Sequence, residues 1–103
     1  MFLTDTERED MFFFILDRFQ SESRAYLTAG EISAIFYGND FEFLADQTQI
    51  GNLLAKGVLA GWIDKNEDDQ YRITDCGKRK ANLLTKDELR KLAELLVVKG
   101  WSY

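Results

Sequence analysis

A series of helix-capping pairs constrains the fold of this chain more than any other feature. In such a pair, a Thr or Asp stands three residues before a Glu or Gln, and the two side chains bond to the first unpaired amides of a helix. We assign four pairs, each at the start of an apolar pattern with the helical period: Thr4 with Glu7, Thr28 with Glu31, Asp46 with Gln49, and Thr85 with Glu88. Since the sequence also lacks Pro, it predicts a chain made mainly of short helices.

Glycines and turn residues divide the chain between these helices. We expect helices to end at Gly38 and Gly61, because glycine adopts the left-handed conformation of a helix terminus at no steric cost. After Gly61, apolar and aromatic residues flank the acidic turn, Glu67–Asp69, which predicts a β-hairpin. Thr74 is the expected cap of a further helix. The predicted helices lie at about 5–20, 28–37, 46–60, 75–84 and 86–99, and the predicted strands at about 61–65 and 70–74.

Composition limits the class of protein. The 103 residues are 46% hydrophobic and 14% aromatic, which suits one domain with a sizeable core and excludes a disordered chain. The chain has no His and a single Cys, so we expect no His-dependent catalysis, no internal disulfide and no multi-cysteine metal site. No apolar run approaches the ~18 residues of a membrane span, and the first ten residues do not resemble a signal peptide. We therefore expect a cytoplasmic protein that is not an enzyme, binds no membrane and carries no cofactor or metal.

Charge is distributed unevenly along the chain. The formal net charge of −5 argues against indiscriminate binding to nucleic acid. Residues 1–64 hold 4 basic and 11 acidic residues, whereas residues 72–91, here named the basic segment, hold 7 basic and 3 acidic residues. The basic segment is either the ordinary solvated face of a helix or an electrostatic surface for a partner.

Two stretches of the sequence resemble the same protein family. Ile50 to Ile63, IGNLLAKGVLAGWI, is similar to the recognition helix and first wing strand of winged-helix regulators. Tyr71 to Ala81, YRITDCGKRKA, resembles their second wing strand and the helix that follows. In this order and spacing, about residues 5–84 look most like MarR-like and PadR-like bacterial transcriptional regulators. The resemblance implies a mainly α winged helix-turn-helix fold: three helices, a small β-hairpin as a two-stranded wing, and two carboxyl-terminal helices.

The resemblance also implies a homodimer. We expect one domain, in which residues 1–84 form the winged helix and residues 85–103 add a last helix for dimerisation. The wide apolar face of the first helix indicates either that the helix is central or that it contacts another subunit. The second explanation is the one the resemblance favours, because these families dimerise through their first and last helices, and the last helix here also carries a wide apolar face. The surplus apolar residues, and so the predicted dimer interface, are Phe13, Phe14, Leu95 and Val98.

In the family, the exposed side of the third helix enters the major groove of double-stranded DNA. Carried over by position, the residues on that side are Thr48, Gln49, Asn52 and Lys56. Their side chains can bond to base edges or to phosphate. Arg72, Lys78 and Arg79 match positions that contact the DNA backbone and fix the register. The competing interpretation is that all of these are ordinary solvent-facing residues.

The acidic turn departs from the family pattern. Wing tips that bind DNA usually carry Arg or Lys, whereas the carboxylates of Glu67, Asp68 and Asp69 would repel phosphate. Two functions therefore stay open: a dimeric DNA-binding regulator, and an acidic winged-helix module that binds protein and not DNA. The polar third helix and the basic segment favour the first, and the net charge and acidic turn favour the second. DNA binding is the leading hypothesis.

Overall fold

The computed structural model describes residues 3–20, 25–39, 41 and 44–98, with side chains up to residue 94 in the last helix. The described chain forms five helices and one small antiparallel sheet. The helices are α1 (Asp5–Gln20), α2 (Ala29–Gly38), α3 (Gln47–Ala60), α4 (Asp75–Ala81) and α5 (Lys86–Val98), and the strands are β1 (Leu27–Thr28), β2 (Ile63–Lys65) and β3 (Gln70–Ile73). The prediction of a mainly helical chain with a small hairpin after the third helix is confirmed.

Local signals in the sequence explain most helix boundaries. All four predicted capping pairs form, each through two reciprocal side chain to backbone hydrogen bonds. Gly61 ends α3 in the left-handed conformation, with φ of 82°, as predicted. Gly38 ends α2 without it, since Gly61 is the only glycine of the described residues with positive φ. The predicted end of α2 at Gly38 is confirmed, but the predicted left-handed conformation is wrong, because Asn39 caps the helix by donating from Nδ2 to the Ile35 carbonyl at 2.7 Å.

The sheet has one strand more than predicted. Its order is β1-β3-β2, and both pairings are antiparallel. β2 pairs with β3 as the predicted hairpin, with Ile63 opposite Ile73. β1 adds only Leu27 and Thr28, opposite Tyr71 and Gln70. The hairpin is therefore attached along its β3 edge to the segment that leads into α2.

α1 lies at the centre of the hydrophobic core. Phe12 and Phe13 are fully buried, together with Met11 and Leu16 on the same helix. The Phe12 ring stacks on Phe36 of α2, with centroids 4.9 Å apart. The Phe13 ring meets Trp62 edge to face at 5.4 Å, and Trp62 leads into β2. One helix therefore packs against both the helical part and the sheet.

The predicted dimer interface has to be corrected at Phe13. Its ring is fully buried in the core of a single chain, so it offers no surface to a second copy. The apolar face of α1 is wide because the helix is central. Phe14 is half-buried, and the Arg18 guanidinium lies over its ring at 4.8 Å. The side chains of Leu95 and Val98 lie outside the described residues.

The described helices also bear on the predicted absence of a membrane partner. None of them is long and apolar enough to cross a lipid bilayer.

Candidate nucleic-acid interface

α3 has a buried side and an exposed side with different chemistry. Ile50, Leu54 and Gly57 are buried against the core. Thr48 and Asn52 are exposed, and neither side chain bonds to another described residue. The helix contains no carboxylate, and its single charge is Lys56. Around Thr48 and Asn52 the exposed side is thus polar and without negative charge, as a surface that approaches base edges requires, whereas Leu59 near the end of the helix is exposed and apolar.

Gln49 has a structural task at the start of α3. Its side chain is half-buried, and its Oε1 accepts the Asp46 N–H at 2.9 Å. A bidentate bond to adenine needs both the oxygen and the nitrogen of the amide. With the oxygen in the capping pair, Gln49 serves the helix terminus, and Asn52 is the one exposed amide of the predicted set.

Lys56 is in contact with α1. Its Nζ lies 3.0 Å from Oε2 of Glu9, whose residue is only 8% exposed, while 60% of the Lys56 side chain is in solvent. A cleft of about 290 Å³ separates α1 from α3 beside this pair, and Arg8 and Asn52 also line it. Gln49, Asn52 and Lys56 of the predicted set therefore line one cleft, where Lys56 is bound to a carboxylate, and Thr48 is exposed on the same helix outside this lining.

Arg72 is bound within the sheet. Its Nη2 lies 3.7 Å from Oδ2 of Asp64, and its guanidinium stands 4.5 Å from the centre of the Tyr26 ring. The Tyr26 hydroxyl donates to the same Asp64 oxygen at 2.6 Å, and that hydrogen bond raises the pKa of Tyr26. Arg72 thereby joins β2 and β3 to the residues before β1.

The carboxylates of α1 bind two further cations of the basic segment. Lys80 Nζ lies 3.1 Å from Asp10 Oδ1 and 4.2 Å above the centre of the Trp62 ring. Lys91 Nζ lies 2.7 Å from Glu7 Oε2, and this hydrogen bond is the largest of the effects that lower the Glu7 pKa from 4.5 to about 2. The positive charge of these residues is therefore compensated within the chain.

Lys78 and Arg79 differ from those lysines, because neither has an ion pair with a described residue. Lys78 is half-buried at the rim of a cleft of about 300 Å³ that Thr74 and Arg72 also line. Arg79 is exposed, and its Nη2 lies 3.3 Å from the Cys76 sulfur. Of the three predicted backbone contacts, these two keep their charge available to a partner.

The acidic turn stays acidic in the structure. Glu67, Asp68 and Asp69 are all exposed. Asp69 pairs with Lys65 at 3.1 Å, but neither of the other two has a cation partner in the part of the chain that is described. The Asn66 side-chain oxygen accepts the Asp68 N–H at 3.0 Å and so shapes the turn from within. This turn would repel phosphate brought close to it.

Sequence reasoning missed Glu9. Its importance depends on Lys56, which is 47 positions away, and no local pattern reports such a pair. The weak signal present in the sequence is that Glu9 lies two residues before Met11, where the apolar residues of α1 begin.

Other kinds of site find no support in the described residues. No group of three or more Cys, Asp or Glu side chains among them could hold a metal ion. No protein-family model matches the chain, and neither does any curated protein or solved structure. The function is therefore argued from the surface of α3 and the charges around it.

Proposed function

We propose that this is a winged-helix DNA-binding protein, a cytoplasmic transcriptional regulator that acts as a dimer and has no catalytic activity. The element order supports the winged-helix part, because a hairpin directly follows the third helix and two helices come after it. The exposed side of α3 is the observation that carries DNA binding. Thr48 and Asn52 have no partner among the described residues there, and the helix holds no carboxylate to repel DNA.

In this proposal, the residues have distinct roles. Asn52 bonds to the base edge of adenine, and Thr48 contacts a thymine methyl group or a phosphate. Lys78 and Arg79 bind phosphates and set the position of α3 in the groove. Gln49 fixes the amino-terminal end of α3, on which the other contacts depend.

The dimer part of the proposal depends on α5. Leu92 is its one fully described side chain that is buried, whereas Leu89 on the same helix is 41% exposed. The exposed Leu89 offers apolar surface on the described part of α5 for contact with a second copy. Sedimentation equilibrium should give twice the chain mass at tens of micromolar, and a monomer at that concentration would contradict this part.

DNA binding is tested by titrating a random-sequence duplex pool at about 50 mM salt, followed by selection of the bound sequences. We expect micromolar binding and an enriched motif. Asn52→Ala should reduce the preference for that motif by about 1–3 kcal/mol. Asn82→Ala is the matched control, because Asn82 is also exposed but lies after α4. A wild-type protein that fails to bind any duplex under these conditions would overturn the proposal.

The second candidate is an acidic winged-helix module that binds a protein. The exposed Glu67 and Asp68, which have no cation partner among the described residues, favour it, as do the cations that α1 neutralises. The same titration separates the candidates, since this module should bind no duplex even after Glu67, Asp68 and Asp69 are changed to Gln, Asn and Asn. A regulator should bind random duplex more tightly after that change.

A further inference from the structure

Glu9 is a buried carboxylate placed between two lysines of different elements. Its Oε2 accepts a hydrogen bond from Lys56 Nζ of α3 at 3.0 Å. Its Oε1 lies 3.8 Å from Lys80 Nζ of α4 and has no hydrogen-bond partner in the described chain. Lys80 also has a partner of its own, Asp10, at 3.1 Å. The short bond to Lys56 is therefore the main compensation of the Glu9 charge.

The hydrogen bond between Glu9 and Lys56 affects both residues. A carboxylate that is 8% exposed has lost much of its hydration, and leaving it unpaired is costly. Lys56 is the only charge on α3, and its side chain remains 60% exposed beside Asn52. As long as Glu9 holds Lys56, α3 offers DNA no net positive charge.

We propose that Glu9 determines the specificity of the DNA interface by neutralising Lys56, an inference that rests on the DNA-binding function proposed above. Phosphate contacts strengthen binding to every sequence alike, whereas base contacts distinguish sequences. A released Lys56 would add such a phosphate contact. With Lys56 held by Glu9, the contribution of α3 comes from the uncharged side chains of Thr48 and Asn52.

The central test compares Glu9→Gln with the wild type on a random-sequence duplex over a series of salt concentrations. We expect Glu9→Gln to bind this duplex more tightly at low salt. The slope of log affinity against log salt should become steeper by about 0.9 per subunit, the value for one added phosphate contact. The ratio of affinities for a selected sequence and the random duplex should fall.

Glu7→Gln is the matched control. It removes the same charge from the same helix and releases Lys91, which is bound to Glu7 at 2.7 Å. A Gln at this position keeps the capping pair with Thr4. Because the released lysine lies in α5, we expect the slope to stay at its wild-type value. An equal steepening in Glu7→Gln would reduce the effect to net charge and overturn the proposal.

A second measurement needs no variant and remains decisive if Glu9→Gln fails to fold. Acetylation of an amine is slowed when a carboxylate holds its proton. In the wild type, Lys56 should be acetylated several-fold more slowly than Lys86, an exposed lysine without an ion pair to any described residue. In a folded Glu9→Gln protein, the two rates should converge. Equal rates in the wild type would overturn the proposed hold on Lys56.

The outcomes distinguish the two proposals. If the wild type and Glu9→Gln bind DNA with the same slope, the role of Glu9 is wrong and DNA binding stands. If neither binds DNA, the proposed function fails and the role of Glu9 fails with it. If Glu9→Gln binds random duplex and the wild type does so only weakly, both are supported.

Discussion

α3 and the basic segment differ in how far the polar and charged side chains seen in the sequence remain available to a partner in the structure. α3 has a single charged residue, and its exposed polar side chains keep the availability that the sequence suggests. The basic segment has seven cations, and four of them contact a carboxylate: Arg72, Lys80, Arg90 and Lys91. The segment with more positive charge in the sequence therefore has much of that charge compensated.

Half of this compensation comes from α1, which binds Lys80 and Lys91, whereas Arg72 pairs with Asp64 and Arg90 with Asp87. The first turns of α1 place Glu7, Glu9 and Asp10 where α3, α4 and α5 pass, and each carboxylate contacts a lysine of one of these helices. Buried and half-buried pairs of this kind are screened less by salt than pairs in full solvent. Counting the charges of one segment therefore overestimates the positive charge that a partner meets. Acidic residues from other parts of the chain pack against that segment and compensate some of its charge.

The largest expected effect is on the free energy of unfolding. It compares a glycine of the basic segment with a glycine of α3. A Cβ at Gly77 of α4 would clash with the Trp62 carbonyl oxygen, which is fixed because it accepts the Thr74 N–H at 2.9 Å. Gly77→Ala should therefore reduce the free energy of unfolding by about 3 kcal/mol. Gly51 of α3 has no atom within 4 Å of an added Cβ, and Gly51→Ala should stabilise by about 0.5–1 kcal/mol. Urea unfolding measures both, and a stable Gly77→Ala protein would contradict the packing described.

The next effect concerns the cations of the basic segment. Changing both Lys78 and Arg79 to Gln should weaken binding to all duplexes and reduce the magnitude of the salt slope by about 1.8 per subunit. Lys91→Gln should leave the slope unchanged, because Glu7 already binds that lysine. Fluorescence anisotropy over a salt series measures both. Equal effects in the two proteins would remove the distinction between paired and unpaired cations.

A smaller change is expected from the acidic turn. Replacing Glu67, Asp68 and Asp69 by Gln, Asn and Asn should tighten binding to random duplex a few-fold at low salt, because the removed charges repel phosphate at a distance. The selected sequence motif should not change. If affinity is unaffected, the turn lies far from bound DNA, and its sign then has no bearing on function.

How much of the fold could be predicted from the sequence depends on how local each signal is. The four capping pairs and Gly61 act within one turn of helix, so their helix boundaries follow from the sequence. β1 was missed because two residues have no period, and Leu27 becomes a strand residue only by pairing with Tyr71. Phe13 was misassigned because the width of an apolar face does not reveal that its helix is central.

The features of the candidate interface also divide into local ones, which the sequence predicts, and long-range ones, which it does not. The exposure of Asn52 follows from the helical period of α3, and the structure agrees with it. The pairing of Lys56 with Glu9 and of Arg72 with Asp64 depends on how distant segments meet, so the sequence alone could not reveal it.

The smallest expected effect is on stability at acidic pH. The pKa of Glu7 lies at about 2 in the folded protein, against an ordinary value of 4.5, chiefly through the hydrogen bond from Lys91. A lowered pKa stabilises the fold above pH 4.5, and this contribution disappears as the pH falls towards 2. The melting temperature of the wild type should therefore exceed that of Glu7→Gln at neutral pH, and the difference should vanish near pH 2.

Glu88 is the control for that experiment because its pKa is shifted the other way. Burial raises it, and the Asp10 carboxyl beside it adds to the shift. The folded protein then binds a proton more tightly than the unfolded chain, so the wild type should lose stability relative to Glu88→Gln as the pH rises above 4.5. The same trend in both variants would contradict the assigned contacts.

The salt dependence of wild-type binding to a random duplex tests the central claim most directly. The claim is that α3 binds DNA through uncharged side chains, that α1 neutralises Lys56, Lys80 and Lys91, and that Lys78 and Arg79 are the cations that contact phosphate. Two contacts predict a shallow slope of log affinity against log salt, about −1.8 per subunit. A slope of about −6, the value expected if all seven cations of the basic segment contacted phosphate, would contradict the claim. The absence of binding at the lowest salt would also contradict it.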